Sequence, residues 1–382
     1  MNAAVAPLRL LQLVQQPQRR GAELFAADLT RALRRRGHDV RLVFLYPGPS
    51  LDAFPVAPGD LELDGVPTNP LERSIGFHPG LLRRLRRTIT EFDPHVVQAN
   101  GARSLKYGAL AAVRSRARAR LVYRNIGEPA AWIRGRATAA FYRTVVIPQV
   151  DGVVGVSATT LAAARRFHGL AVPVRRIPRA VDLAALVPSH ARAAIRAGLQ
   201  TPDGAPVLIS VGSLAPEKRV ERFVAAVAAT RVSFPDVVGW IVGDGPVRRG
   251  IEAAVAAAGP GSFRVLGERD DVVDLLAAAD LHVLTSDTEG LPGVVLEAGA
   301  VGLPSVATDV GAVRECIEDG RTGAVVANGD HDALVTAITS ILGSGSGPAL
   351  GAAAKALVQD RFDLESITDD YVDFYRSVVS GA

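Results

Sequence analysis

Twice along this chain a short apolar, β-branched run passes through a glycine into a helix-length segment: residues 8–14 lead to Gly21, and Val207–Val211 leads to Gly212. Few folds accept that alternation. A strand joined through a helix to the next strand returns as a parallel neighbour in the same sheet. After Gly21, an apolar stripe of Leu24, Ala27, Leu29, Ala32 and Leu33 predicts a helix over 23–36. Gly37 stops it behind Arg34, Arg35 and Arg36, and 40–45 follows as a strand. Runs 96–98, 121–123 and 153–156 extend the same sheet. From 181 to 205 the chain is polar and turn-rich around a short helical stretch. The alternation then restarts, with strands expected at Val207–Val211, Val238–Val242, 263–266, Leu281–Leu284 and 305–307. Residues 343–347 read as a small-residue loop, and 364–379 as a helix carrying Tyr371, Phe374 and Tyr375. At 382 residues the chain exceeds the size of one ordinary core, so two Rossmann-like doubly wound domains are expected.

Composition narrows the function. An apolar share of 48% excludes disorder, and no apolar run reaches the length of a membrane span, so a soluble body is expected. The first seventeen residues lack the basic start and small-residue cleavage site of a secretory signal, which points to the cytoplasm. Cys316 is the only cysteine, so neither a disulfide nor a multi-cysteine metal site can form within the chain. His78, His168, His282 and His331 have no ligand-like spacing, and no metal is expected. Residues 1–190 carry 28 basic and 13 acidic side chains, the remainder 15 and 26. The clusters Arg83, Arg84, Arg86, Arg87 and Arg114, Arg116, Arg118, Arg120 suit an anionic lipid surface, a phosphorylated acceptor or nucleic acid; a solvated helix face explains them equally well.

Neither first strand is followed by the glycine fingerprint of dinucleotide enzymes with its acidic partner. The strand ends read instead Val211-Gly212-Ser213-Leu214-Ala215-Pro216-Glu217-Lys218-Arg219 and Val242-Gly243-Asp244-Gly245-Pro246. Glycines there let the backbone approach a ligand, and a lysine beside a helix start suits a diphosphate. Each alone is compatible with an ordinary turn. The strongest element is Glu289-Gly290-Leu291-Pro292-Gly293-Val294-Val295-Leu296-Glu297, two carboxylates around a glycine-rich strand-to-helix turn. Glu289 falls at the carboxyl end of a strand, where open α/β sheets bind ligands, and Glu297 about one turn into the next helix. Carboxylates so placed can grip the vicinal hydroxyls of a sugar and a ribose.

Together with 269–272, Ala279-Asp280, Ser286, Gly302-Leu303-Pro304, 310–315 and Gly323, these motifs closely resemble the group 1 glycosyltransferases of family 4. Residues 20–23, 37–40, 153–157 and 177–182 extend the resemblance into the first half. It implies a GT-B fold, two Rossmann-like domains facing across a cleft: 1–184 for the acceptor, 185–363 for the nucleotide sugar, and 364–382 a helix crossing back to the N-domain. It further implies a retaining transfer from a nucleotide-diphosphate sugar, a co-substrate with no cofactor, to a hydroxyl of a glycan, lipid-linked or small-molecule acceptor. Lys218 would serve the diphosphate, Glu289 the sugar, Glu297 the ribose, and Glu268 and Arg269 the base. Gly212, Ser213, Arg219, Gly243, Asp244 and Gly245 would complete the donor pocket, with 290–294 closing around the sugar and Gly21 facing the phosphates. Attack would proceed on the donor's front face, the leaving diphosphate helping to deprotonate the acceptor. Four departures from the family pattern stand out. Ser213 occupies the place of an arginine, Gln98-Ala99-Asn100 that of a His-x-His, leaving Asn100 as a donor near the reaction centre, and Arg179-Ala180 that of an Asn-Gly. Arg124-Asn125-Ile126-Gly127-Glu128 also replaces a segment commonly ending in His-Gly. A position at the inner membrane face is an open expectation, and nucleic acid is not expected as a partner. The alternatives are an epimerase or phosphorylase on the same fold, or a member that binds nucleotide sugars without turnover.

Overall fold

The computed structural model describes residues 6–18, 21–48, 56–57, 59–63, 77–112, 119–127, 133, 135–168, 172–202 and 204–381. Arg20, Arg114, Arg116, Arg118 and Glu128, which the sequence reading singled out, lie outside these. The chain forms two compact units, Met1–Arg179 with Leu364–Ala382, and Ala180–Asp363.

The first unit is built on seven parallel strands in the order β3-β2-β1-β4-β5-β6-β7: β1 Arg9–Val14, β2 Asp39–Phe44, β3 Leu61–Glu62, β4 Val96–Asn100, β5 Arg120–Asn125, β6 Gly152–Gly155 and β7 Val174–Arg176. Alternation along β1 sends Leu11 and Leu13 to one face, where Leu85, Ile89 and Leu105 from the helices Pro79–Phe92 and Ala102–Ala112 pack against them. The other face carries a polar column. Gln12 lies beside Gln98 in register, and Asn100 beside Arg124. The helix Leu364–Ser380 covers this column. Tyr375 Oη donates to Gln98 Oε1 at 2.7 Å and accepts from Gln12 Nε2 at 3.2 Å, and Arg124 Nε donates to Tyr371 Oη at 3.1 Å. Arg35, the last residue of the helix Gly21–Arg35, and Arg36 just after it pair with Glu365 at 2.6 Å each.

The second unit has six parallel strands in the order β10-β9-β8-β11-β12-β13: β8 Val207–Val211, β9 Val238–Val242, β10 Phe263–Gly267, β11 Leu281–Leu284, β12 Ser305–Thr308 and β13 Gly323–Val326. Phe223, Ile241, Leu281, Val283 and Ile338 fill one side of the sheet; Trp240, Leu275 and Leu303 fill the other. The two ends of the unit meet, Val181 N donating to Phe362 O at 2.9 Å. That pairing draws residues 180–184 into the second unit, so the division falls five residues before the expected 184/185. The loop expected at 343–347 shrinks to a turn: the helix His331–Ser344 ends on Gly345 at φ 67°, and Gly347 already opens the next helix. Among the described residues no single helix is long and apolar enough to cross a membrane.

Candidate functional site

In the second unit the sheet order reverses between β8 and β11, opening a crevice at their carboxyl ends, and each strand delivers one charged side chain there. Past β8, the turn Pro216–Lys218 presents Lys218; past β11, Thr285 and Ser286 lead to Glu289. Lys218 Nζ donates to Glu289 Oε1 at 2.7 Å, and Ser286 Oγ donates to the same oxygen at 2.6 Å. Glu289 is nearly enclosed, its side chain 9% exposed against 29% for Lys218. Main-chain contacts fix the turns that carry the pair. Thr285 Oγ1 lies 3.1 Å from Lys218 O and 3.0 Å from Arg219 O, and Asp287 N donates to Glu217 O at 2.8 Å. Behind Glu289, Ala312 N donates to Gly290 O at 2.9 Å, and a Cβ on Gly311 would lie 1.9 Å from Glu289 O.

The remaining residues read from the motifs divide by environment. Gly212 and Gly243 follow adjacent strands, and a Cβ on Gly243 would fall 1.9 Å from Gly212 O, so that glycine brings two loops together. Asp244 accepts from Gly245 N at 2.6 Å and from Arg248 at 2.7 Å; the Arg248 hydrogen bond, then the Gly245 amide, hold its carboxyl below the usual range. Ser213 and Lys218 line the same small cavity with Ser286. Arg219 pairs with Glu221 at 3.1 Å and Asp287 at 3.4 Å and is not among the residues lining that cavity. Glu268 and Arg269 are exposed, Arg269 paired with Asp271 at 2.6 Å. Leu291, Pro292 and Gly293 are buried; Leu291 packs into the core beside Val295 and Val313, while Gly290 and Val294 stay half-buried. Glu297 stands half-buried in the second turn of the helix Gly293–Ala300, whose first turn no side chain caps.

Two family models match the chain, the group 1 glycosyl transferases over residues 205–344 and glycosyltransferase family 4 over residues 19–185. The chain belongs to the family 4, group 1 glycosyltransferases. A GDP-mannose-dependent α-mannosyltransferase of Mycobacterium tuberculosis is 28% identical over 339 residues, 83% of this chain and 82% of that one. The lipopolysaccharide core biosynthesis glycosyltransferase LpsE of Rhizobium meliloti is 33% identical over 184 residues, 48% of this chain and about half (53%) of that relative. Anabaena HepE in complex with UDP-glucose superposes with a TM-score of 0.82 at 22% identity, covering 97% of this chain and all of that one. Sucrose-phosphate synthase of Thermosynechococcus elongatus gives 0.82 at 22% identity over 98% of this chain and 100% of that one. The fold is GT-B, two parallel-sheet α/β domains, and the protein is a glycosyltransferase.

In the first unit of this glycosyltransferase the sheet order reverses between β1 and β4. Gly21 opens the helix after β1, so close to Arg179 that a Cβ would lie 2.5 Å from Arg179 Nη1. Asn100 ends β4 and is buried, with its amide engaged inside the fold: Nδ2 donates to Gln12 Oε1 at 3.0 Å, and Oδ1 accepts from Gln98 Nε2 at 3.1 Å. The Gln98-Ala99-Asn100 departure thus belongs to the polar column under the helix Leu364–Ser380, although Asn100 also borders a cavity of about 360 Å³ at the switch point. Sequence reasoning gave no site role to Glu23, Arg103, Lys106 and Tyr142, which line that cavity, and left Thr285 outside the donor set. Arg103 and Lys106 had a usable signal, since both fall within six residues of the strand end at Asn100.

Proposed function

We propose that this enzyme transfers a hexose-type sugar from a nucleoside-diphosphate sugar to a hydroxyl-bearing acceptor with retention of anomeric configuration. The observation that carries the reading is the Lys218–Glu289 pair, 2.7 Å apart where the sheet order of the second unit reverses. A cation and a carboxylate there match the two halves of such a donor, a diphosphate and a polyhydroxylated ring. HepE, of the same fold, binds UDP-glucose, and the M. tuberculosis relative is named for GDP-mannose.

In this reading the donor diphosphate takes Lys218 Nζ from Glu289 and frees the carboxylate to accept from sugar hydroxyls. Lys218 then faces the charge that grows on the leaving diphosphate, an electrostatic contribution of about a hundredfold or more in rate. Glu297 holds the ribose, and residues 268–269 approach the base. The acceptor proton leaves with the diphosphate, so no side-chain nucleophile is required. A cytoplasmic position, peripheral at an anionic membrane, belongs to the same proposal and is supported by the basic excess of residues 1–190.

The test is calorimetry with UDP and GDP sugars, followed by NMR of the anomeric centre in the product. The α-linked donors named above should give α-linked products. Glu297→Ala should weaken the free nucleotide diphosphate about tenfold or more, while Glu289→Ala, which frees Lys218, should not weaken it and should lower turnover about ten- to hundredfold. Inversion overturns the retaining assignment. Donor consumed to an epimer or a sugar phosphate without acceptor points to the epimerase or phosphorylase, and binding without any transfer or hydrolysis to a non-catalytic member.

A further inference from the structure

The cavity of about 360 Å³ in the first unit is unevenly charged, and its volume falls within the range of small-molecule sites. Gln15, Asn100 and Glu23 line it together with Arg103 and Lys106. Glu23 is buried and accepts from Gln18 Nε2 at 3.3 Å, a carboxylate suited to hydroxyl groups. Among the described residues no carboxylate pairs with Arg103. Its guanidinium sits 5.5 Å from the Tyr46 ring centroid, and among the described residues no hydrogen bond engages it. Lys106 lies 5.5 Å from the Tyr107 ring centroid. Both cations fall in the opening turns of the helix Ala102–Ala112, which has no acidic residue in its first turn. Cations there oppose the helix dipole. An anion in the cavity would reverse that balance.

Resting on the transfer reading above, we propose that the acceptor is anionic: a polyol or sugar whose phosphate is received by Arg103 and Lys106 while its hydroxyls lie toward Glu23 and Asn100. A phosphate distant from the nucleophilic hydroxyl orients the acceptor without entering the reaction. Free sugar phosphates and phospholipid headgroups share this chemistry, and the experiment separates them.

The probes are inorganic phosphate and glucose 6-phosphate, against glucose and against chloride at matched ionic strength, with binding followed by calorimetry on the full chain. A second arm uses phosphatidylcholine vesicles with and without phosphatidylglycerol. Arg103→Gln should weaken the phosphate probes about tenfold or more and leave glucose unchanged. Arg103→Lys should stay within about threefold, and Lys218→Ala should leave phosphate binding at this site unaltered. A loss confined to the soluble probes identifies a free sugar phosphate as the source; a loss on vesicles as well identifies a headgroup. No Arg103-dependent preference for phosphate over chloride in either arm overturns the proposal, as does a loss seen only in Lys218→Ala. UDP-glucose and GDP-mannose are titrated into the same variants. If a nucleotide sugar binds through Lys218 while the phosphate preference is absent, this inference falls and the transfer reading stands. The reverse pattern keeps the anion site and removes the donor assignment.

Discussion

Lys218 and Glu289 satisfy one another in the ligand-free fold, so neither can be altered without disturbing its partner. Lys218→Ala leaves Glu289, 9% exposed, with Ser286 as its remaining donor. A double-mutant cycle with Glu289→Ala, read by urea unfolding, should give a coupling of about 1–3 kcal/mol. Coupling below about 0.5 kcal/mol would place the pair among ordinary surface contacts. The motif displayed both residues in the sequence. Their contact was hidden, because Lys218 and Glu289 lie 71 positions apart and only the strand order joins them. His282 gives a second expectation at this scale. It is fully buried on β11, Nδ1 3.0 Å from Ser305 Oγ, and burial pushes its pKa down to about 3. The unfolded chain takes up a proton near pH 6.5 that the fold refuses, so this residue's contribution to stability is lost as pH falls from about 6.5 toward 3. Unfolding free energy should drop with a slope approaching 1.4 kcal/mol per pH unit, roughly, below pH 6. His282→Gln should flatten that limb; an unchanged slope in the variant assigns the acid sensitivity to other groups.

The helix Leu364–Ser380 finishes a sheet face that the strands leave polar. Gln12, Gln98 and Arg124 are each at most 2% exposed, and the hydroxyls of Tyr371 and Tyr375 bond to all three. Tyr375→Phe deletes the donor to Gln98 Oε1 and the acceptor of Gln12 Nε2 together, and should destabilise by about 2 kcal/mol or more in denaturant unfolding. A change under about 0.5 kcal/mol would mean that the amides find other partners. The sequence announced the helix through its aromatics, but it gave no sign that Gln98 and Asn100, which stand where the family pattern has a His-x-His, bond to one another and to Gln12 beneath that helix. Strands with continuous β-branched runs, such as Val207–Val211 and Val238–Val242, were legible to the residue. The edge strands Leu61–Glu62 and Val174–Arg176 were not, since each is two or three residues long and half charged, with pairing to one neighbour as its main determinant.

For the whole molecule, the uneven charge is the property most open to measurement. On the helix Pro79–Phe92, Leu81, Leu85 and Ile89 face the core, and Arg83, Arg84 and Arg87 are exposed, Arg87 pairing with Glu91 at 2.7 Å. If this surface engages anionic membrane, sedimentation with anionic liposomes should weaken steeply between about 0.05 and 0.5 M salt, and Arg83→Glu with Arg84→Glu should abolish it. Salt-independent recovery would leave the arginines as solvated surface. The two-unit organisation itself was legible, because each half repeats the same strand-helix grammar with its own glycines.

The path of the chain also sets a schedule for synthesis. Residues 180–363 form the second unit as one uninterrupted block, its ends joined through Val181 and Phe362, whereas the first unit needs residues 364–380 to cover Gln12, Gln98 and Arg124. On a ribosome adding about 5–20 residues per second, the unit begun first therefore waits ten seconds or more, by that rate, with one sheet face uncovered while the second is made and folded. The half of the enzyme translated earliest is the last to become native.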